Sequence, residues 1–383
     1  MAGGGTGGHI FPLIAVAQEL KKETQELGII LDMRYFGDAY EYAQEIVDND
    51  IEFIPIISSK LRRYWSLLNI IDAIKFFISL FQLLWKIFWF MPDVVFSKGG
   101  PGALAVILVS RFYMLPVVVH DSDSIPGLTN KISGNLAEKI FLAFPSAKEY
   151  FSVKSEGEIN IEIVGNPVRE SLLQQAASLD FGGEDKQSQA KKGFGLGINV
   201  PVIFIWGGSQ GAEALNSFVL ENLEILVRSF QIIHQIGSKN YDEHKKDFEF
   251  MAKDWNDMEK NRYIFRPFLR KDLSDAFIAA DIVVARASAG SIFEIAAFGR
   301  PSILIPLPNS ANGHQANNAH FYNQSGATVV IQQENLLGNL FIKELERLIN
   351  DRDLLKKMSE AAKNFYKPDA AKIIAGYLLN YVS

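Results

Sequence analysis

The spacing of apolar positions predicts alternating helices and strands in the first part of the chain. Apolar residues recur at helical intervals over 10–22 and alternate with polar residues over 29–36. A helical pattern over 39–49 separates that strand from another over 51–57, and short apolar runs at 93–96 and 116–120 predict two buried strands. This succession is typical of a parallel sheet with helices on its faces.

The second half of the chain restarts the same pattern. A strand is predicted at 201–206, then a glycine-rich loop at 207–211, a helix from about Ala212 and a strand at 282–285. The polar stretch 176–199 is interpreted as an exposed connection. We therefore predict an α/β fold of two Rossmann-like domains, residues 1–167 and 168–366, with a helix in 367–383 packing back on the first.

The length and composition of the chain are consistent with two domains, each with its own hydrophobic core. The chain has 383 residues, of which 48% are hydrophobic, and a formal net charge of −6. That charge argues against binding of nucleic acid, which needs a basic face. The sequence contains no Cys, so thiolate chemistry is excluded and a reducing compartment, the cytoplasm, is expected.

The first glycine-rich loop follows the start of the chain. Gly3, Gly5 and Gly8 fit G-x-G-x-x-G, which brings phosphate to a helix N-terminus. A dinucleotide site would need an acidic residue about 20 positions on, whereas Asp38 comes later. His9 either reaches a reacting hydroxyl or packs at the turn. Such a loop normally follows a buried strand, and none precedes it here, so an incomplete N-terminal sheet is expected.

The second loop repeats this geometry, with Ser209 as an additional hydroxyl donor. The turn containing Gly290 opens another helix, whose Glu294 is placed to accept from a ribose diol. Ser291 and Glu294 also have capping-box spacing, which is a purely structural alternative. Asp121 and Asp123 follow an apolar strand as an Asp-x-Asp pair, but duplicated glycine loops disfavour a metal-dependent transferase.

Residues 61–91 are unusually apolar and aromatic, and they carry basic side chains. Asp72, Lys75 and Lys86 interrupt the stretch and predicted βα elements flank it, so a membrane-spanning helix is rejected. Together with Lys60, Arg62 and Arg63, the segment suits an interfacial surface on anionic lipid. Some of its apolar residues are expected simply to pack the helix on the sheet.

Five motifs in order resemble the MurG family: Gly4-Gly5-Thr6-Gly7-Gly8-His9, Ile125-Pro126-Gly127-Leu128-Thr129-Asn130, Gly165-Asn166-Pro167-Val168-Arg169, Gly207-Gly208-Ser209-Gln210-Gly211, and Gly313-His314-Gln315 with Asn318-Ala319. The resemblance implies a GT-B fold, two Rossmann-like domains facing a cleft. It also implies transfer of N-acetylglucosamine from UDP-GlcNAc to lipid I, which gives lipid II for peptidoglycan. The donor would bind mainly to the second domain and the lipid-linked acceptor to the first.

The resemblance also implies roles for individual residues. Thr6, Gly7, Gly8 and His9 would lie near sugar and pyrophosphate, and Arg169 and Ser209 would contact the diphosphate. Leu269 would lie by uracil, Glu294 would hold the ribose, and Gln315 with Asn318 would bind the GlcNAc hydroxyls. The amides that would bind phosphate are those of Ala289, Gly290 and Ser291. Where the family often has His-Glu-x-Asn, this chain has His120-Asp121-Ser122-Asp123, which makes Asp123 a further candidate contact.

The predicted reaction is an inverting displacement with UDP as leaving group. A helix N-terminus and Arg169 would stabilise the diphosphate, so no metal or cofactor is expected. His9 is the first candidate for the general base and Asp121 the second. Another GT-B protein, a glycolipid synthase or UDP-GlcNAc 2-epimerase, stays open, as does an inactive nucleotide-sugar-binding membrane protein. The implied location is peripheral, on the cytoplasmic face of the cell membrane.

Overall fold

The computed structural model describes residues 1–58, 68–100, 102–151, 160–176, 184–208 and 212–382. The chain divides into two compact units, which we call unit 1 (Met1–Glu170 with Lys367–Ser383) and unit 2 (Ser171–Tyr366). Each unit contains parallel strands and helices. The predicted α/β class with two Rossmann-like domains is confirmed.

Unit 1 is built on parallel strands. The order β3-β4-β5-β6 forms one sheet, and β1 pairs with β2 beside it. Its elements are α1 (Gly7–Leu27), β1 (Arg34–Gly37), α2 (Ala43–Val47), β2 (Glu52–Pro55), α3 (Leu68–Phe90), β3 (Val95–Ser97), α4 (Ala103–Phe112), β4 (Val117–Asp121), α5 (Leu128–Leu136), β5 (Lys139–Leu142) and β6 (Asn160–Ile163).

Unit 2 has a six-stranded parallel sheet in the order β12-β11-β10-β7-β8-β9. Because all its strands run the same way, their carboxyl ends and the loops that follow meet at one edge. The elements after β6 are α6 (Glu170–Ala176), α7 (Glu184–Gly193), β7 (Val202–Trp206), α8 (Glu213–Glu221), α9 (Leu223–Ser229), β8 (Gln231–Gln235), α10 (Tyr241–Met251), α11 (Asp257–Asn261), β9 (Tyr263–Arg266), α12 (Leu273–Ala279), β10 (Ile282–Ala285), α13 (Ala289–Ala297), β11 (Ser302–Leu304), α14 (His314–Gln324), β12 (Thr328–Val330), α15 (Gly338–Asn350) and α16 (Arg352–Phe365).

The last helix, α17 (Ala370–Leu379), returns to unit 1 and packs against α1. Ile374 and Leu378 are buried there, in one cluster with Leu13 and Ala17 of α1. On the other side of the strands, α3 and α4 contribute to a second cluster that contains Leu83 and Val106. The sheet of unit 1 is therefore covered by helices on both faces.

Ala2 lies between β1 and β3. It makes isolated parallel bridges to Phe36 and to Ser97, and its amide donates to Phe96 O at 2.9 Å. A cavity of about 450 Å³ is lined by residues of both strands, together with apolar residues of α3 and α17. Ala2 thus joins the β1-β2 pair to the four strands β3 to β6 at the start of the first glycine loop.

Two predictions about local structure were wrong. The stretch 176–199 is not simply an exposed connection, because it contains α7, which packs on α12. Ala190 and Lys191 are buried there, and Lys191 Nζ lies 2.9 Å from Asp281 Oδ2. A helix this polar has too few apolar residues to show its buried side in the sequence. At the other end of the chain, α1 begins at Gly7, so Pro12 lies inside the helix and not in its first turn.

Candidate functional site

The first glycine loop is fixed at the carboxyl edge of the strands in unit 1 by a side-chain hydroxyl that bonds to its backbone. The carbonyls of Gly3 and Gly4 accept from Tyr35 Oη at 2.9 and 3.2 Å. Thr6 is the N-cap of α1, and both Thr6 and Gly8 are exposed while Gly7 is buried. The loop thus presents the N-terminus of a 21-residue helix, where partial positive charge favours an anion.

His9 lies in the first turn of α1 and is half-buried. Its Nδ1 is 2.8 Å from Thr6 Oγ1. Its Nε2 lies beside Gly100, the second residue of the pair Gly99-Gly100 that comes shortly after β3. A Cβ built on Gly100 would be 3.0 Å from His9 Nε2 and 2.8 Å from Gly4 N. Gly100 also has φ +88°, so only glycine allows this approach. The structure therefore brings His9, the first loop and Gly100 together.

Asp121 ends β4 and is only 2% exposed. Its Oδ1 accepts from Asp123 N at 2.9 Å, and its Oδ2 accepts from Asn130 Nδ2 at 2.8 Å. Burial, followed by the nearby Asp123 carboxylate, raises the pKa of Asp121. Asp121 is thus engaged in holding its own loop, while Asp123 is half-buried beside it.

A lysine that the sequence reasoning missed lies at the same edge. Lys98 follows β3 directly and is 2% exposed. Its Nζ contacts His120 Nδ1 at 2.6 Å, Asn166 Oδ1 at 3.1 Å and Ser122 Oγ. A charged residue between a buried strand and a glycine pair is the signal that would have found it.

Arg169 belongs to unit 1 and packs on α1. Its guanidinium carbon lies 4.0 Å from the centre of the Phe11 ring, a cation–π arrangement. Phe11 is two residues after His9 on the same helix. The segment that connects β6 to unit 2 is therefore anchored next to the first glycine loop.

In unit 2 the second glycine loop is tied to a neighbouring turn by Gln235, another residue that the sequence reasoning missed. Gln235 ends β8 and is 1% exposed. Its Nε2 donates to Gly208 O at 2.7 Å, and its Oε1 accepts from Leu269 N at 3.0 Å. Leu269 itself is buried. Ser209 lies outside the described residues.

The helix α13 begins at Ala289, and its N-cap is Ser288, whose Oγ accepts from Ser291 N at 3.2 Å. The alternative of a capping box from Ser291 to Glu294 is wrong, because Ser291 already lies inside the helix. The amides of Ala289 and Gly290 have no acceptor within the helix by virtue of their position. Glu294 is 7% exposed. These amides form a second helix N-terminus that suits phosphate.

The remaining predicted residues of unit 2 lie on α14. Gln315 is half-buried, and its Oε1 accepts from Leu307 N at 3.0 Å. Asn318 is fully buried and donates from Nδ2 to Ala287 O at 3.3 Å, which supports the loop before α13. Arg286 was not predicted: it donates from Nη1 to Ile305 O at 3.2 Å and from Nη2 to Gln333 Oε1 at 2.7 Å.

The helix α3 carries the largest set of exposed apolar side chains in unit 1. Exposed members are Ile70, Ile71, Ile74, Phe77, Ile78, Phe81, Trp85, Phe88 and Trp89, and Phe112 and Met114 extend the surface at the end of α4. Leu83 and Ile87 are buried on the opposite side. The start of the predicted interfacial segment, with the basic residues Lys60, Arg62 and Arg63, lies outside the described residues.

Neither a membrane-crossing helix nor a metal cluster is found in the part of the chain that the structure describes. None of the helices there meets the length and apolarity that a membrane crossing requires. No group of three or more His, Asp or Glu side chains among the same residues is arranged to hold a metal ion.

Family models cover both units. Residues 1–142 match the glycosyltransferase family 28 N-terminal domain, and residues 202–374 match the corresponding C-terminal domain. A protein of Treponema denticola named UDP-N-acetylglucosamine–N-acetylmuramyl-(pentapeptide) pyrophosphoryl-undecaprenol N-acetylglucosamine transferase is 33% identical, over 99% of this chain and 96% of its own length. A protein of Legionella pneumophila with the same name is 32% identical, over 94% of this chain and 91% of its own.

Solved structures agree on the fold. The crystal structure of Acinetobacter baumannii MurG aligns with a TM-score of 0.71 at 23% identity, covering 99% of both chains. A UDP-GlcNAc 2-epimerase from Neisseria meningitidis, bound to UDP-GlcNAc, aligns with a TM-score of 0.68 at 16% identity, again over 99% of both chains. The predicted GT-B class is confirmed. With relatives at this identity over nearly its whole length, the chain belongs to the MurG family of UDP-GlcNAc-dependent glycosyltransferases.

Proposed function

We propose that this protein transfers N-acetylglucosamine from UDP-GlcNAc to undecaprenyl-pyrophosphoryl-MurNAc-pentapeptide, lipid I, and so forms lipid II for peptidoglycan. The observation that carries this proposal is one-third identity, over nearly the full length, to transferases whose names state that reaction. The two helix N-termini described above, one in each unit, support it because the substrates carry pyrophosphate groups.

The donor is assigned to unit 2. The amides of Ala289 and Gly290 would bind phosphate, and Glu294 would hold the ribose. Leu269, Gln315 and Asn318 keep their predicted roles toward uracil and GlcNAc, although the burial of Leu269 and Asn318 limits them to backbone or positioning contributions. Ser209 and Arg169 remain candidates for the diphosphate. Ser291 remains a candidate through its hydroxyl, which lies 2.8 Å from Ser288 Oγ, since its amide already donates to Ser288.

The acceptor is assigned to unit 1, with Thr6, Gly7, Gly8, His9 and Asp123 as candidate contacts. In the reaction, the acceptor hydroxyl oxygen forms a bond to the anomeric carbon while the bond from that carbon to the UDP oxygen breaks. His9 would accept the hydroxyl proton, since it is half-buried and bonds to Thr6 through Nδ1. Asp121 is less suited, because both of its oxygens already accept hydrogen bonds. Helix N-termini would stabilise the UDP that leaves.

Membrane docking is the further part of the proposal. The exposed aromatic and aliphatic residues of α3 would lie in the headgroup region of the cytoplasmic leaflet, with Lys75 near anionic lipid. An exposed apolar patch of this kind marks a protein or membrane contact. The expected location is peripheral, on the cytoplasmic face of the cell membrane.

Vesicle flotation tests the docking. Phe81 and Trp89 are 72% and 69% exposed on α3, and Phe250 and Met258 are 85% and 64% exposed in unit 2. Replacing the first pair with Ser should release the protein from phosphatidylglycerol vesicles, whereas the same change in the second pair should not. Equal binding by both double variants would contradict docking through α3.

Acceptor-dependent release of UDP tests the activity. UDP should appear from UDP-GlcNAc only when a lipid I analogue is added, together with a disaccharide product. UDP release or epimerised sugar without the acceptor would instead indicate the UDP-GlcNAc 2-epimerase whose fold this chain shares. Binding of UDP and vesicles without any turnover would indicate an inactive nucleotide-sugar-binding protein.

A further inference from the structure

The buried ammonium group of Lys98 lies where three segments of unit 1 meet. We call Lys98, His120, Ser122 and Asn166 the Lys98 cluster. The Nζ atom of Lys98 contacts one acceptor on each of the other three residues, at 2.6 Å for His120 Nδ1 and 3.1 Å for Asn166 Oδ1. An ammonium has three donors and no acceptor, so these three contacts use its whole capacity.

The direction of each hydrogen bond in the cluster follows from that fact. Because Lys98 can only donate, His120 must accept through Nδ1, and its Nε2 donates to Gly165 O at 2.9 Å. Burial, followed by the charge of Lys98, lowers the pKa of His120 and keeps its ring neutral. Ser122 Oγ then donates to Asn166 Oδ1 at 2.9 Å. A protonated Lys98 satisfies every one of these contacts.

The charge of Lys98 is opposed by burial and supported by acidic neighbours. Burial lowers the pKa of Lys98, while the carboxylates of Asp121 and Asp123 act in the opposite direction. Burying a cation is costly unless it is bonded and compensated, and replacement by an apolar residue is often tolerated for stability alone. Because its three contacts reach two other segments, the ammonium of Lys98 is placed to hold those loops.

Each segment that meets Lys98 carries a candidate residue of the proposed site. The segment after β4 carries Asp121 and Asp123. The segment 165–169 ends in Arg169, which stacks on the Phe11 ring of α1. Lys98 is itself followed by Gly99 and Gly100. A Cβ on Gly99 would overlap the side-chain amide of Asn130, and one on Gly100 would lie 3.0 Å from His9 Nε2, so neither position has room for a side chain.

We infer that Lys98 is a positioning residue for glycosyl transfer, whose ammonium holds the loop after β4 and the segment 165–169 against the backbone that packs on His9. This inference rests on the proposed function. Lys98 is too buried to bind substrate itself and acts through the groups that it bonds.

A second buried lysine of unit 1, Lys139, gives a matched test. Lys139 starts β5, is 6% exposed and pairs with Glu162 Oε2 at 2.7 Å. It therefore lies at the amino-terminal ends of the strands, whereas Lys98 lies at their carboxyl ends. Lys98→Met should lower kcat by about ten- to a hundredfold, because small misplacements are costly in transfer reactions. The KM for UDP-GlcNAc should rise less than kcat falls, since Arg169 is the one donor candidate in the segments that Lys98 holds and the other donor contacts are assigned to unit 2. Lys139→Met should leave both constants close to those of the parent chain.

Hydrogen exchange provides a readout that does not depend on turnover. In Lys98→Met, the amide of Asp123, which donates to Asp121 Oδ1, and the amides of Gly165, Asn166, Val168 and Arg169 should exchange about tenfold faster or more. They should be unchanged in Lys139→Met. If Lys98→Met fails to fold, Lys98→Gln keeps a neutral donor and permits the same comparison.

Chemical rescue separates the cation from the space that it fills. Because the chain has no cysteine, Lys98→Cys can be aminoethylated selectively while unfolded and then refolded. The resulting ammonium should restore most of the kcat that the untreated variant loses.

The outcomes are distinct. A parent-like kcat together with parent-like hydrogen exchange in Lys98→Met would overturn the inference. So would a loss of kcat in Lys98→Met that is equal to the loss in Lys139→Met. The inference would also be overturned if aminoethylation of Lys98→Cys did not restore kcat. If the parent chain itself releases no UDP with a lipid I analogue, the proposed function fails. The exchange comparison then still decides whether Lys98 holds the two segments.

Discussion

In each unit, the loops at the carboxyl edge of the sheet are joined to one another, but the two units use different kinds of hydrogen bond. In unit 1, Lys98 bonds to the side chains of three other residues. In unit 2, Gln235 bonds to backbone atoms of Gly208 and Leu269. Both join loops that follow parallel strands of one sheet. The contrast shows that one fold can fix its loops through a buried charge in one half and through neutral backbone bonds in the other.

The largest expected effect comes from a substitution in the first glycine loop region of unit 1. His9→Ala should lower kcat by about 10²- to 10⁴-fold, the usual contribution of a general base, while UDP binding by unit 2 stays unchanged. His320→Ala, an exposed histidine of α14, is the control. Steady-state release of UDP checks the prediction. A kcat within about threefold of the parent chain would remove His9 as the base.

A change in unit 2 should act on the donor instead. Gln235→Leu leaves Gly208 O and Leu269 N without the amide that bonds them. Since an unpaired buried polar group costs about 1–3 kcal/mol, affinity for UDP should fall by about ten- to a hundredfold. The measurement is calorimetric titration with UDP.

Gln231→Leu is the matched control, since Gln231 starts the same strand and bonds to Gly197 and Val200 at its other end. It should lower stability but leave UDP affinity within about threefold. Equal loss of affinity in both variants would mean that Gln235 has no special relation to the donor loops.

A third change tests the carboxylate charge in unit 1. In Asp121→Asn, the Asn130 amide can turn over to accept from the new Nδ2, because Asn130 Oδ1 is buried and has no hydrogen-bond partner among the described residues. Both hydrogen bonds of residue 121 are then kept and only the charge is lost. We expect kcat to fall by less than about tenfold. A fall of more than about a hundredfold would restore Asp121 as the candidate base.

The smallest expected effect concerns pH and unit 2. His234 and His244 are buried and share Tyr263 Oη at 2.8 and 2.6 Å. Burial lowers the pKa of His244 from 6.5 to about 4. The folded state therefore binds this proton less tightly than the unfolded state, and stability is lost as the pH falls from about 6.5 toward 4.

After allowance for solvent screening, the loss should be about 1–2 kcal/mol. Faster hydrogen exchange in β8 and β9 at about pH 5 than at about pH 7, after correction for the intrinsic exchange rates, would show it. His244→Phe should reduce this difference, and the part that remains is assigned to His234, whose pKa is also lowered by burial. A pH dependence that is the same in the variant would exclude His244 as its source.

The element types were largely predictable, and their boundaries were not. The strand 282–285 was placed at its observed residues because its apolar run is bounded on both sides. The helix α7 was missed because packing on α12 buries only a few residues of a polar segment. Local pattern reveals an element when its buried side is apolar, and it fails when tertiary contacts satisfy polar groups.

The candidate site shows the same division. The sequence by itself determined the two glycine loops, the helices that follow them and the family, because small residues and their order are local properties of the chain. Only the tertiary structure brought Lys98 to Asn166 and Gln235 to Leu269, across separations of 68 and 34 residues. Bonds of that kind depend on how parallel strands align their ends, which no local pattern encodes.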